Sequence, residues 1–121
     1  MPVLTQHNMA TLNLHPIRLN IIGAPIVGQI VEIRVLIAHA METGHRLGDD
    51  GNERIPKNII DSIVIKFNQE PIMMATLGTG IAANPLISVF MEVPDKGGMV
   101  SVEWLDDQGA QGRAEKMLVV V

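Results

Sequence analysis

The sequence predicts an all-β domain, an immunoglobulin-like antiparallel β-sandwich of about seven strands. Three observations carry that reading. Apolar residues recur at every second position over several short runs, most clearly Val31, Ile33, Val35 and Ile37. The apolar set is mostly Ile, Val, Leu and Met, and the Cβ branching of Ile and Val suits a pleated surface better than a helix. The runs are parted by clusters of Gly, Pro, Asn and Asp, which punctuate the chain with turns.

Taken in order, the first sixteen residues mix Thr, Gln, Asn and His with scattered Leu and Met, and read as a flexible lead-in (1–16) to a domain over 17–121. Ile17, Leu19 and Ile21 alternate with Arg18 and Asn20 until Gly23-Ala24-Pro25 breaks the run. Gln29 to Ala38 is the clearest strand, with Ile30 and Leu36 as apolar exceptions on its outer face. Residues 39–59 form a charged, turn-rich segment too long for an ordinary connection. Its Asp50-Gly51 pair predicts a small hairpin or bulge. Strand character returns at Ile60–Phe67, at Ile72–Leu77 after an Asn68–Pro71 turn, and at Leu86–Val93. Two further runs follow, one through Val100, Val102 and Trp104 and one from Gln111 to Val121. The single tryptophan is expected to fill the space between the sheets.

Composition narrows the function classes. A chain of 121 residues is one domain, and 47% hydrophobic residues supply its core. A net charge of −4 without any Lys/Arg cluster leaves no footprint for nucleic acid. No run approaches the ~18–20 apolar residues that span a bilayer as a helix. The absence of cysteine excludes disulfides, thiol catalysis and zinc-thiolate sites. Met1 to Pro16 lacks the basic start and continuous apolar stretch of a secretory signal.

Candidate chemistry is sparse. His39 and His45 share the long segment with Glu42, Asp49 and Asp50, which are ligand types for divalent ions. Their spacing matches no metal signature, and Asp49–Glu53 lacks the alternation of a calcium loop, so a polar loop shaped by turns is the better reading. Ser62, Ser88 and Ser101 lie in strands, outside any nucleophile elbow. Gly78-Thr79-Gly80-Ile81 lacks the lysine of a phosphate loop. Asp106-Asp107 is expected at a hairpin tip where solvent reaches both carboxylates. Met73-Met74 serves either the core or an adaptable binding surface.

Several segments together resemble the SoxZ family, the Z subunit of the SoxYZ sulfur-carrier complex of thiosulfate oxidation. They are His39-Ala40-Met41-Glu42-Thr43-Gly44-His45-Arg46 with Asp50-Gly51 and Ile55-Pro56-Lys57-Asn58-Ile59-Ile60; then Phe67-Asn68; then Ile81-Ala82-Ala83-Asn84-Pro85-Leu86-Ile87. The last is Trp104-Leu105-Asp106-Asp107-Gln108-Gly109, followed by Ala114-Glu115-Lys116. Ala40 departs from the family's usual proline. The resemblance implies an immunoglobulin-like subunit without an active site or cofactor of its own. It would form a heterodimer with a SoxY-like partner whose Gly-Gly-Cys-Gly-Gly arm carries the sulfur intermediates, and other Sox enzymes would visit transiently. It also implies a periplasmic location, reached by export with the partner. Met41, Glu42, Thr43, Gly44, His45 and Arg46, with Asn84 and Pro85, are the expected partner-binding residues. A stand-alone immunoglobulin-like binding module and a small metal-binding redox protein are the alternatives.

Overall fold

The computed structural model describes residues 16–121, and the expected lead-in therefore lies outside the described residues except for Pro16. The chain forms β1 (Ile17–Ile22), β2 (Ile30–Ile37), β3 (Ile60–Phe67), β4 (Glu70–Thr76), β5 (Leu86–Glu92), β6 (Gly98–Asp106) and β7 (Gln111–Leu118). No helix occurs among the described residues. One sheet has the order β1-β2-β5 and the other β4-β3-β6-β7, all neighbours antiparallel. The expected all-β sandwich is what the chain adopts.

Alternation along each strand builds the core. Val31, Ile33, Val35 and Ile37 of β2 are buried, with Leu19 beside them on β1. Opposite stand Ile60, Ile63 and Ile65 of β3 and Val100, Val102 and Trp104 of β6, closed by Leu118. Each fully buried aliphatic side chain contributes roughly 1.5–3 kcal/mol relative to exposure. The outer exceptions read from β2 hold: Ile30 is exposed and Leu36 half-buried. The two sheets meet along β1 and β7, whereas β4 and β5 end their sheets on the other side.

Strand ends differ from the sequence expectation by one to three residues, most at the start of β4 and the end of β7. β4 begins at Glu70 because the hairpin after Phe67 needs only Asn68 and Gln69, both with positive φ (50° and 73°). Such a two-residue turn matches the twist of the flanking strands. Pro71 is thereby inside β4, where an edge position spares it the loss of a ladder hydrogen bond. β7 ends at Leu118, since the following residues leave the ladder with β6.

Trp104 packs between the sheets at the price of a missing side chain on β7. Its cross-strand partner is Gly112, and a Cβ there would overlap the indole ring. Replacing Gly112 by Val should therefore destabilise the fold by about 1–3 kcal/mol, read as a lower denaturant midpoint. Gly80, which has open space around its Cβ direction, should tolerate Ala within about 0.5 kcal/mol.

Candidate functional site

The segments singled out in the sequence converge on one end of the sandwich. The chain leaves β2 into His39 and returns to β3 at Ile59. The connection before β5 passes the same point at Asn84, and the β6–β7 turn arrives there with Asp106. His39 and Asn84 clasp each other: the His39 N–H donates to Asn84 Oδ1 (3.1 Å) and the Asn84 N–H to the His39 carbonyl (2.8 Å). Asn84 sits at φ 53°, a left-handed conformation that asparagine tolerates.

His39 is buried, and both of its ring nitrogens are engaged. The Met41 N–H donates to Nδ1 (2.9 Å), which leaves the ring proton on Nε2 to donate to Asp106 Oδ2 (3.1 Å). This pattern assigns the neutral imidazole. The ring meets Trp104 edge-on, with centroids 5.7 Å apart and planes at 83°. The other carboxylate oxygen of Asp106 accepts the N–H groups of Gln108 (2.9 Å) and Ala110 (2.8 Å).

Asp106 thus departs from the expectation of a solvated hairpin tip. It is buried, and the turn wraps around it because its carboxylate needs donors once water is excluded. Asp107, half-buried, accepts the Ile59 N–H (2.9 Å) and ties the turn to the start of β3. Gln108 adds a bond from its side-chain amide to the Lys57 carbonyl (2.8 Å).

The remaining expected partner residues fall into an inner and an outer set. Met41 is buried at φ 52°, an unusual conformation for a long side chain, held by its bond to His39 and by Ile60, whose N–H donates to the Met41 sulfur (3.3 Å). Pro85 is buried beside the end of β2, its carbonyl accepting the Ile37 N–H. Gly44, at φ 91°, lies against Lys57, and Thr43 accepts the His45 N–H (3.2 Å); both are half-buried. His45, Arg46 and Asn84 are exposed. Arg46 grips Glu42 through two hydrogen bonds (3.1 and 2.6 Å), and its guanidinium holds the Glu42 carboxyl below the usual glutamate range. Glu42 and Asn58 bridge their backbones, and Leu47 with Arg54 forms the small hairpin foreseen around Asp50-Gly51.

The two histidines of this segment do not share a site, since His39 is buried and His45 exposed. Among the described residues no group of three or more His, Cys, Asp or Glu is placed to hold a metal ion. Two open clefts flank Asn84. One of about 290 Å³ is lined by Leu77, Ile81, Pro85, Leu86 and Ile87. The other, about 370 Å³, is lined by Pro16, Arg18, Leu36 and Ala38. The His39–Asp106 bridge escaped the sequence reading, because 67 residues separate the pair and no local pattern marks it. Both residues do lie in the segments that carry the family resemblance.

The profile of the family described as sulphur oxidation protein SoxZ matches residues 20–117. No curated protein matches the sequence. Among solved structures, the superoxide reductase (neelaredoxin) from Ignicoccus hospitalis is similar with a TM-score of 0.67 at 13% identity, over 90% of this chain and 85% of that one. A hypothetical protein from Pyrococcus horikoshii OT3 is similar with a TM-score of 0.54 at 14% identity, over 84% of each chain. At such identities the likeness is one of fold alone.

Two outcomes follow from this geometry. His39→Ala leaves buried acceptors on Asp106 and the Met41 N–H without their partner, and should cost about 1–3 kcal/mol in chemical denaturation beyond the packing lost with the ring. The lowered pKa of Glu42 means that its stabilising contribution is present at neutral pH and is lost as pH falls through that lowered value. Glu42→Gln should therefore make stability less sensitive to pH between about 7 and 3, measured as denaturant midpoints across that range.

Proposed function

The chain belongs to the SoxZ family of the sulfur-oxidising Sox system, and on that premise we propose that it is the non-catalytic subunit of a sulfur-carrier heterodimer. Its partner is a SoxY-like subunit whose cysteine-bearing arm holds the sulfur intermediates of thiosulfate oxidation. The pair works in the periplasm and is exported together, with the other Sox enzymes as transient visitors to the arm.

The family match over 20–117 carries this reading. The chemistry of the chain is consistent with a supporting role. Without a cysteine it has no thiol on which to hold sulfur. The one buried His–Asp pair at the site spends both ring nitrogens on Met41 and Asp106, so its imidazole is committed to holding the loop. The inner set (Met41, Gly44, Pro85) shapes the end of the sandwich, and the outer set of Glu42, Thr43, His45, Arg46 and Asn84 presents polar groups to the partner. A rigid platform of this kind lowers the ordering cost of association.

Co-expression with a SoxY-like subunit and purification through a tag on this chain tests the proposal. The expected result is a stoichiometric complex carrying one reactive thiol from the partner, while the isolated chain turns over no sulfur substrate. Replacing Glu42 and Arg46 together by Ala should weaken the complex about tenfold, or 1.4 kcal/mol. Unchanged affinity removes these residues from the interface, and failure of any SoxY-like subunit to bind removes the proposal itself.

A further inference from the structure

The five arginines of the chain are not employed alike. Arg34 pairs with Glu32, Arg46 with Glu42 and Arg113 with Glu115, while Arg54 donates to the His45 carbonyl. Arg18 alone has no such partner among the described residues. It is exposed on β1, opposite Leu36 of β2. The carboxylate of β2 is already engaged, since Glu32 accepts from Arg34 and from the Ser88 hydroxyl. On a chain of net charge −4, an uncompensated guanidinium is a local point of positive potential.

Arg18 lines the cleft of about 370 Å³ together with Pro16, Leu36, Ala38 and Asn84. That volume falls within the range of roughly 300–1,000 Å³ of small-ligand clefts. No carboxylate belongs to the lining. Its second polar side chain has a fixed orientation. Asn84 Oδ1 accepts the His39 N–H, so the groups its amide offers to the cleft are the two hydrogens of Nδ2. The walls are tied to one another as well. Arg18 and Leu36 are held in the β1–β2 ladder, the Ala38 N–H donates to the Pro16 carbonyl (2.9 Å), and the Asn84 N–H donates to the His39 carbonyl. The neighbouring cleft of about 290 Å³ shares Asn84 but has no charged residue in its lining. Only the Arg18 cleft therefore joins a cation to amide donors.

We propose that this cleft binds a sulfur oxyanion, with the Arg18 guanidinium and the Asn84 Nδ2–H groups donating to its oxygens. The forked guanidinium matches two oxygens of one anion, and a single cation balances a singly charged sulfonate end. Leu36, Ala38 and Pro16 supply apolar walls for the atoms that bear it. The choice of a sulfur oxyanion rests on the carrier reading above. Thiosulfate joined through its outer sulfur to the cysteine of the partner's arm presents a terminal sulfonate, and Asn84 belongs to the surface offered to that partner. Free thiosulfate carries the same end group, so the two sources share one recognition chemistry.

Titration of the isotope-labelled full chain, followed by NMR, tests the site. The probes are thiosulfate and the peptide Gly-Gly-Cys-Gly-Gly, blocked at both ends and sulfonated on its cysteine sulfur. The sulfonated peptide should shift the amide signals of Arg18, Ala38 and Asn84 saturably, with a dissociation constant of about 1 mM or below. Arg18→Gln should weaken binding about tenfold or more. Lys57→Gln removes the same charge from another exposed position and should leave binding unchanged. Peptide binding about tenfold tighter than thiosulfate assigns the site to the arm, and equal binding assigns it to the free anion. The proposal is overturned if neither probe shifts Arg18 and Asn84, if a peptide with a neutral carbamidomethyl cap binds as well, or if Lys57→Gln weakens binding as much as Arg18→Gln. These titrations need no partner. A SoxY-like complex that forms while Arg18 stays silent removes the cleft and keeps the carrier reading. An anion response without any complex keeps the cleft and removes the carrier reading.

Discussion

A carboxylate withdrawn from water has to find donors, and the end of this sandwich is organised around one that does. Asp106 takes two backbone N–H groups from its own turn and the Nε2–H of His39. Those three bonds fix the tautomer of His39, and the tautomer leaves Nδ1 free to accept from Met41. Met41 in turn sits in a left-handed conformation that would otherwise be disfavoured, and its sulfur receives the Ile60 N–H. Asn84 closes the set from a third connection. Loops that share no sheet ladder are bound into one unit by a chain of hydrogen bonds that begins at a single buried charge.

This arrangement distinguishes positioning from chemistry. A histidine beside an aspartate is the usual outline of a base and its orienting group. Here the nitrogen that would face a substrate is the one that accepts from a backbone amide, so the pair serves the architecture of the loop. What the loop then offers outward is a surface: a Glu42–Arg46 pair, an exposed imidazole at His45 and the side chain of Asn84 between two clefts. A surface of charged and polar groups on a firmly held loop suits recognition of another protein.

The two sheets divide the remaining labour. The larger one holds Trp104 and most of the core, and its outer face mixes the Lys66–Glu103 and Arg113–Glu115 pairs with the exposed Met74, Leu105 and Met117. The smaller one has three strands and exposes Ile30, Leu86 and Phe90 on its outer face. In a chain with only 2% aromatic residues, an exposed Phe90 is a large share of the available ring surface left in water.

Alternation of side chains is a property of one strand, so it was readable residue by residue: β2 appears in the sequence within one residue at each end, and β1, β3, β5 and β6 likewise fall where branched aliphatics alternate, whereas β7 (Gln111–Leu118) contains neither Ile nor Val. Turn positions were readable almost as well, although Asn68 and Gln69 close a tighter hairpin than Asn68–Pro71 implied and Asp106 is buried where a solvated tip was expected. The absence of thiol chemistry needed nothing beyond the residue count. Burial of a polar group is different, because it depends on what lies opposite in space. Nothing near Asp106 in the chain announces His39, and only the packing of the two sheets brings them within a hydrogen bond. The tertiary structure likewise decided which members of the His39–Arg46 and Asn84-Pro85 segments face inward and which reach solvent, since loops have no repeating geometry from which side-chain direction follows.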